Sequence, residues 1–199
     1  MNITTNFKLH TQNYLHRLSS VFKDEQISQI EKLSLDLYSL WQEKKNLFIC
    51  GNGGSGANAI HIANDLIYGL GAMLEKQRLG MRVEALSSNP AVITCLANDT
   101  GYENIFASQI DVKGSQGDIL VVLSGSGNSQ NVIRAIKKAK EKNILTYSIL
   151  GFDGGICKKI SDEPIHFEIS DMQISEDIQM IVFNLCIKWI TENINKIEA

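Results

Sequence analysis

Proline is almost missing from this chain, at 2 residues in 199. That leaves no material for a Pro-rich linker. Cysteine is scarce as well. The four residues Cys50, Cys95, Cys157 and Cys186 form no CxxC pair. Cys50 and Cys186 lie inside apolar stretches, so they are expected to be reduced, buried thiols, as in a bacterial-type cytoplasm. No apolar run approaches the ~20 residues that a membrane span requires. Met1 to His10 is polar and lacks the apolar core of a signal peptide. There is no excess of positive charge either. The formal net charge is -3, which provides no global basic field for nucleic acid or an anionic membrane. Repeats and low-complexity segments are absent. The expectation is a cytoplasmic protein without nucleic-acid or membrane partners.

What is present is ordinary globular composition, 44% hydrophobic and 21% charged, at a length that suits one domain. Residues 1–45 read as a helical segment and 46–199 as an α/β core. From Asp24, apolar residues at Ile27, Ile30, Leu33, Leu37, Leu40 and Trp41 form a helical stripe. Leu47 to Cys50 is a short continuous apolar run, as in a strand buried on both faces. A helix is expected from about Ala57 to Leu70. Further strands are expected at Val83–Leu86, Ile119–Leu123, Ile144–Leu150 and Ile165–Ile169. Helices are expected at Ala91–Ala97, Gln130–Lys142 and Ile174–Ile194. The Gln130–Lys142 helix sets an apolar face against a basic one, Arg134, Lys137, Lys138 and Lys142, which reads as solvated. Strands alternating with helices predict a three-layer α/β sandwich on a parallel sheet. Ligands bind such sheets at the carboxyl ends of the strands.

Two loops at those ends are rich in Gly and Ser. The first is Gly51-Asn52-Gly53-Gly54-Ser55-Gly56, the second Ser124-Gly125-Ser126-Gly127-Asn128-Ser129. Glycine lets a backbone approach a ligand closely, and a helix N-terminus offers free N–H groups and the positive end of its dipole. Serine hydroxyls add donors, so together the two loops predict phosphate binding without a lysine. The bland alternative is that the glycines turn the chain and Asn128 or Ser129 caps a helix. The first loop also matches the GxGxxG dinucleotide fingerprint. That fingerprint wants an acid about 20 residues on, and the nearest, Glu84, lies farther away and inside a strand. No nucleotide cofactor is expected.

Three ordered motifs then resemble a known family. Gly51-Asn52-Gly53-Gly54-Ser55, Ala97-Asn98-Asp99-x-Gly101-Tyr102-Glu103 and Ser124-x-Ser126-Gly127-Asn128-Ser129 are similar to the SIS (sugar isomerase) domain of bacterial phosphoheptose isomerases. The likeness covers nearly the whole chain. It implies a flavodoxin-like sandwich with five parallel strands and a homotetramer in which the N-terminal helices take part. Active sites would lie between subunits. The implied activity interconverts sedoheptulose 7-phosphate and D-glycero-D-manno-heptose 7-phosphate, toward activated heptose for surface polysaccharide (lipopolysaccharide or capsule). The resemblance assigns Gly53, Ser55, Ser124, Ser126 and Ser129 to the phosphate and Asn52 and Asp99 to sugar hydroxyls. Gly125 stands where the family usually has Thr.

An aldose–ketose isomerase needs a base beside the carbon and a donor or metal beside the carbonyl oxygen. His61 and Asp65 share a helix face and can serve either role, the family having His and Glu there. In the last helix the family carries Gln and, eight residues later, a catalytic His. Aligned on the apolar pattern, Glu176 and Asn184 take those positions; aligned on Gln179, Ile187 takes the second. The first alignment keeps a polar residue facing the site. Asp65 and Glu176, with His61, are then the candidate proton carriers, and Gln179 and Asn184 candidate substrate ligands. His61, Asp65 and Glu176 could equally hold Zn2+ or another divalent cation, with Gln179 as a weaker fourth ligand. The family's Arg four residues after its base is Gly69 here. The Gly69–Met81 loop is longer, and Lys76 or Arg78 could restore the charge. The missing histidine keeps a second reading open, a non-enzymatic SIS regulator that binds a sugar phosphate and a partner such as a replication initiator.

Overall fold

The computed structural model describes residues 6–70 and 79–197, and the side chains of 6–70 and 79–194. Five strands form one sheet: β1 (Asn46–Cys50), β2 (Arg82–Ala85), β3 (Ile119–Ser124), β4 (Leu145–Leu150) and β5 (Glu163–His166). All are parallel, in the order β2-β1-β3-β4-β5. The central strands bury both faces because their side chains alternate between two apolar clusters. Leu47, Ile49, Ile119, Val121 and Leu123 enter one cluster, and Phe48, Cys50, Leu120 and Val122 the other.

Each cluster is closed by its own helices. The first is covered by α2 (Asp24–Gln42), α3 (Gly53–Asn64) and α8 (Met172–Ile197), preceded by α1 (Phe7–Ser20). The second is covered by α4 (Pro90–Thr100), α5 (Ala107–Lys113), α6 (Gln130–Glu141) and α7 (Gly155–Ile160). The stripe read from Asp24 is the core face of α2: Leu33 and Leu37 are fully buried. α2 is therefore part of the sandwich. By contrast α1 buries none of its residues. It is pinned to α8 by Tyr14, whose hydroxyl donates to Asp177, and to the residue just before α8 by Arg17 on Asp171 at 2.9 Å. The bond to Asp177 pushes the Tyr14 pKa up to about 12.

The boundaries differ from the expectations in ways that have physical causes. The helical N-terminus breaks at residues 21–23, between α1 and α2. α3 starts at Gly53, inside the loop, because Gly53 takes a left-handed φ of 54° that turns the chain straight into the helix. β5 ends at His166, but the N–H of the buried Phe167 still donates to the Leu150 carbonyl at 2.9 Å, and the Ile169 carbonyl accepts from the Phe152 N–H at 3.0 Å. The basic face of α6 is solvated, with Arg134 and Lys137 exposed, and it carries surface ion pairs: Arg134 with Glu103, Lys138 with Asp111 and Glu141, and Lys142, just past the helix end, with Asp111.

The end of α3 departs from regular helix. Asp65–Gly69 is a π turn. The Leu70 N–H donates to the Asp65 carbonyl, five residues back, which frees the Leu66 carbonyl to accept from the Met81 N–H at 2.9 Å. The wider turn thus joins the helix to the strand that follows it. Gly80 passes so close that a Cβ there would lie 1.8 Å from the Ile67 carbonyl oxygen.

Candidate active site

The order β2-β1-β3 reverses direction at the β1–β3 pair, and a crevice opens at the carboxyl ends of strands at such a point. The loops after β1 and β3 are the two Gly/Ser segments, so the topology brings them side by side. They are clasped by a reciprocal carboxamide pair. Asn52 Nδ2 donates to Asn131 Oδ1 at 2.9 Å, and Asn131 Nδ2 donates to Asn52 Oδ1 at 2.8 Å. The Tyr102 hydroxyl donates to the same Asn52 oxygen at 3.0 Å. Beside the clasp is a cavity of about 360 Å³ lined by Asn52, Tyr102, Glu103, Ser129 and Arg134, among others.

The serines share one hydrogen-bond polarity. The Ser55 hydroxyl accepts from Gln179 Nε2 at 2.9 Å, Ser124 Oγ from the Gly127 N–H at 3.0 Å, and Ser126 Oγ from the Asn128 N–H at 3.3 Å. None donates to another group among the described residues. Ser129 is the N-cap of α6 but makes no side-chain capping bond. A hydroxyl whose oxygen already accepts directs its proton elsewhere. Three such protons, with the N-termini of α3 and α6, form a neutral donor set suited to an anion.

The second loop holds its shape by close backbone packing. Gly127 has φ 65°, and a Cβ there would fall 2.1 Å from the Gly154 carbonyl oxygen. A Cβ at Gly125 would lie 2.7 Å from Met172 Sδ, so the sulfur fills the space in which a larger residue at 125 would stand.

The last helix crosses the first loop. A Cβ at Gly54 would sit 2.3 Å from Glu176 Oε1, so the Glu176 carboxylate lies directly over Gly54. Gln179 is 1% exposed and reaches Ser55, while Asn184 is exposed and Ile187 buried. His61 Nε2 and Asp65 Oδ2 are 3.2 Å apart on the outer side of α3, with Asp65 at the start of the π turn. Asp99 is exposed at the end of α4, where Asn98 Nδ2 donates to it at 2.7 Å.

As a metal site, one chain offers two donors, His61 and Asp65. Among the described residues no three His, Cys, Asp or Glu side chains converge, so Glu176 does not complete the set within the chain. Lys76 and Arg78 lie outside the described residues. Glu84, the acid considered for a dinucleotide, is engaged by Lys113 at 2.5 Å. Asn58 and Asn131 were not singled out by the sequence. Their one signal is polarity where apolar residues are expected: Asn131 is 1% exposed at the start of an apolar helix face.

Comparison with known proteins agrees with this geometry. The SIS domain profile matches residues 11–151. The chain is 31% identical to a phosphoheptose isomerase of Fusobacterium nucleatum over 190 residues, covering 96% of this chain and 94% of that one. It is 40% identical to the phosphoheptose isomerase of Clostridium acetobutylicum over 141 residues, covering 71% and 68%. Among solved structures, a phosphoheptose isomerase from Neisseria gonorrhoeae shares the fold, with a TM-score of 0.84 over 96% of this chain and all of that one, at 23% identity. A profile that spans both loops, and identity that runs from end to end, place the chain in the SIS domain family, among its phosphoheptose isomerases.

Proposed function

We propose that this chain is an aldose–ketose isomerase of a phosphorylated heptose, converting sedoheptulose 7-phosphate to D-glycero-D-manno-heptose 7-phosphate. The observation that carries this reading is the set of serine hydroxyls, Ser55, Ser124 and Ser126, whose oxygens already accept and whose protons have no acceptor among the described residues, on two loops joined across the β1–β3 crevice. They suit a phosphoryl group, whose terminal oxygens are acceptors only. Glu176 then has to serve the sugar. A carboxylate repels a phosphoryl group set against it, so Glu176 is assigned to sugar hydroxyls or proton transfer.

The reaction moves one proton between carbons and one between oxygens. A base removes a proton from C1 of the ketose, and the electron pair forms the C1–C2 double bond as the C2 oxygen takes a proton. Return of a proton to C2 and loss of the proton on O1 give the aldose. Asp65 is assigned as the base at carbon, held by its contact with His61; Glu176 overlies Gly54, about 16 Å of helix rise from Asp65, so the carrier between the two oxygens is assigned to the Glu176 of a neighbouring copy. Six to ten residues of helix separate Ser55 from His61 and Asp65, about 9 to 15 Å of rise. That separation favours a long phosphosugar over a triose phosphate.

The reading extends to a homotetramer in the cytoplasm, serving surface-polysaccharide synthesis. A divalent cation would be held by His61 and Asp65 with a further ligand from outside the chain, and the proton route above does not use it. The test is proton NMR of the protein with sedoheptulose 7-phosphate in heavy water. Aldose formation with deuterium at the carbon beside the carbonyl supports the enediol route. Saturable binding without conversion or exchange overturns the assignment of this substrate's isomerisation.

A further inference from the structure

The Ser55 proton is directed by a short chain of carboxamides that ends at a group of fixed polarity. Asn58 Nδ2 donates to the backbone carbonyl of Glu176 at 2.9 Å and to Gln179 Oε1 at 3.0 Å. Gln179 Nε2 in turn donates to Ser55 Oγ at 2.9 Å. A carbonyl oxygen can only accept, so Asn58 has to present its NH2 group there. Gln179 therefore turns its oxygen to Asn58 and its NH2 group to Ser55, and the Ser55 oxygen is made an acceptor. Its proton is left for another partner. Gln179 is buried, so no water competes for its orientation.

We infer that Asn58 is a positioning residue for ligand binding: acting through Gln179, it sets the Ser55 hydroxyl as a donor to the phosphoryl group. This rests on the reading that Ser55 meets the phosphate. Asn58 need not touch the ligand. Its effect is to decide which of two directions Gln179 faces. With Asn58 replaced by an acceptor, Gln179 would turn its NH2 group to residue 58 and its oxygen to Ser55. The Ser55 proton would then go to Gln179, and the lone pairs of Ser55 would face the anion.

The test is a double-mutant cycle on the affinity for sedoheptulose 7-phosphate, measured by calorimetry, with Asn58→Asp, Ser55→Ala and the pair. Each single variant is expected to weaken binding by about tenfold, the scale of one hydrogen bond to a charged group. The pair is expected to be no weaker than Ser55→Ala alone, since the hydroxyl that Asn58 directs is gone. A charge effect of the introduced carboxylate on the ligand would persist in the pair, and additive losses overturn the inference. Asn58→Leu adds no charge and guards against that confusion. It too is expected to weaken binding when Ser55 is present and to have no effect when combined with Ser55→Ala. Unchanged affinity in both Asn58 variants, with a loss in Ser55→Ala, overturns the positioning role and leaves the phosphate reading intact. Unchanged affinity in Ser55→Ala overturns both.

Discussion

At the scale of single residues, the site separates groups that bind from groups that move protons. Asp65→Asn keeps the size of the side chain and removes its basicity. It is expected to lower kcat by about 10²- to 10⁴-fold, the usual contribution of a positioned general base. Affinity for the sugar phosphate should stay within a few-fold of the parent in a direct binding titration. Unchanged turnover would remove Asp65 from the chemistry. The thiols give a second contrast. Burial pushes the Cys157 and Cys186 thiols up to about 12 and raises that of Cys50 as well, while Cys95 is exposed. Iodoacetamide at neutral pH should therefore add one label per native chain, at Cys95, read by peptide mass spectrometry. The serine loops were legible in the sequence because Gly and Ser repeat within six residues. The Asn52–Asn131 clasp and the Asn58–Gln179–Ser55 chain were not, since they join residues 79 to 124 positions apart. The preference for aligning the last helix on Glu176 had only side-chain polarity behind it. In the fold Glu176 overlies the first loop, Gln179 bonds within it, and Asn184 faces outward.

At the scale of elements, the junctions carry the specificity of the fold. The π turn depends on the closeness of Gly80 to the Ile67 carbonyl. Gly80→Ala cannot be accommodated there without moving backbone, so it is expected to cost about 2 kcal/mol or more in urea unfolding. Turnover should fall as well, because Asp65 opens that turn. Asp162 binds the start of β4. Burial acts against its charge, but Lys140 at 2.7 Å and the Thr146 hydroxyl and N–H hold its pKa below the ordinary value. A lowered pKa means that the charged form stabilises the fold. Its contribution is complete above the unfolded value of about 3.9 and is lost as pH falls through the folded one. Asp162→Asn should accordingly lower Tm at pH 7, and the gap should close in stronger acid. The strands could be read as short apolar runs bounded by turn residues, and the long helices from their period. α5 and α7, with 7 and 6 residues, were not read as helices: so short a segment shows no period.

At the scale of the whole molecule, the helices divide into those the sheet needs and one that it does not. α1 has no fully buried residue: Tyr14 and Leu18 pack partly buried against the core, while Phe7, Leu9 and Leu15 are exposed. Apolar side chains of that size on one helix fit a surface covered by another copy. Removing residues 1–20 should therefore leave the thermal transition within a few degrees, while light scattering reports a smaller assembly. An unchanged assembly mass would show that α1 is not part of that interface.

α8 does two jobs at once, and its length links them. Its 26 residues make a rod about 39 Å long. The first turns carry Glu176 and Gln179 at the crevice, and Ile190 and Ile194 are anchored deep in the core, about 20 Å further on. The core grips it from Ile174 to Ile194, so it moves as one rigid rod. A tilt of about 3° about its far end displaces the crevice end by about 1 Å, a displacement that can cost an active site a hundredfold in rate. The far end of this helix is thus a tuning point for catalysis, where exchanging one aliphatic side chain for another can retune the enzyme without touching a residue that meets the substrate.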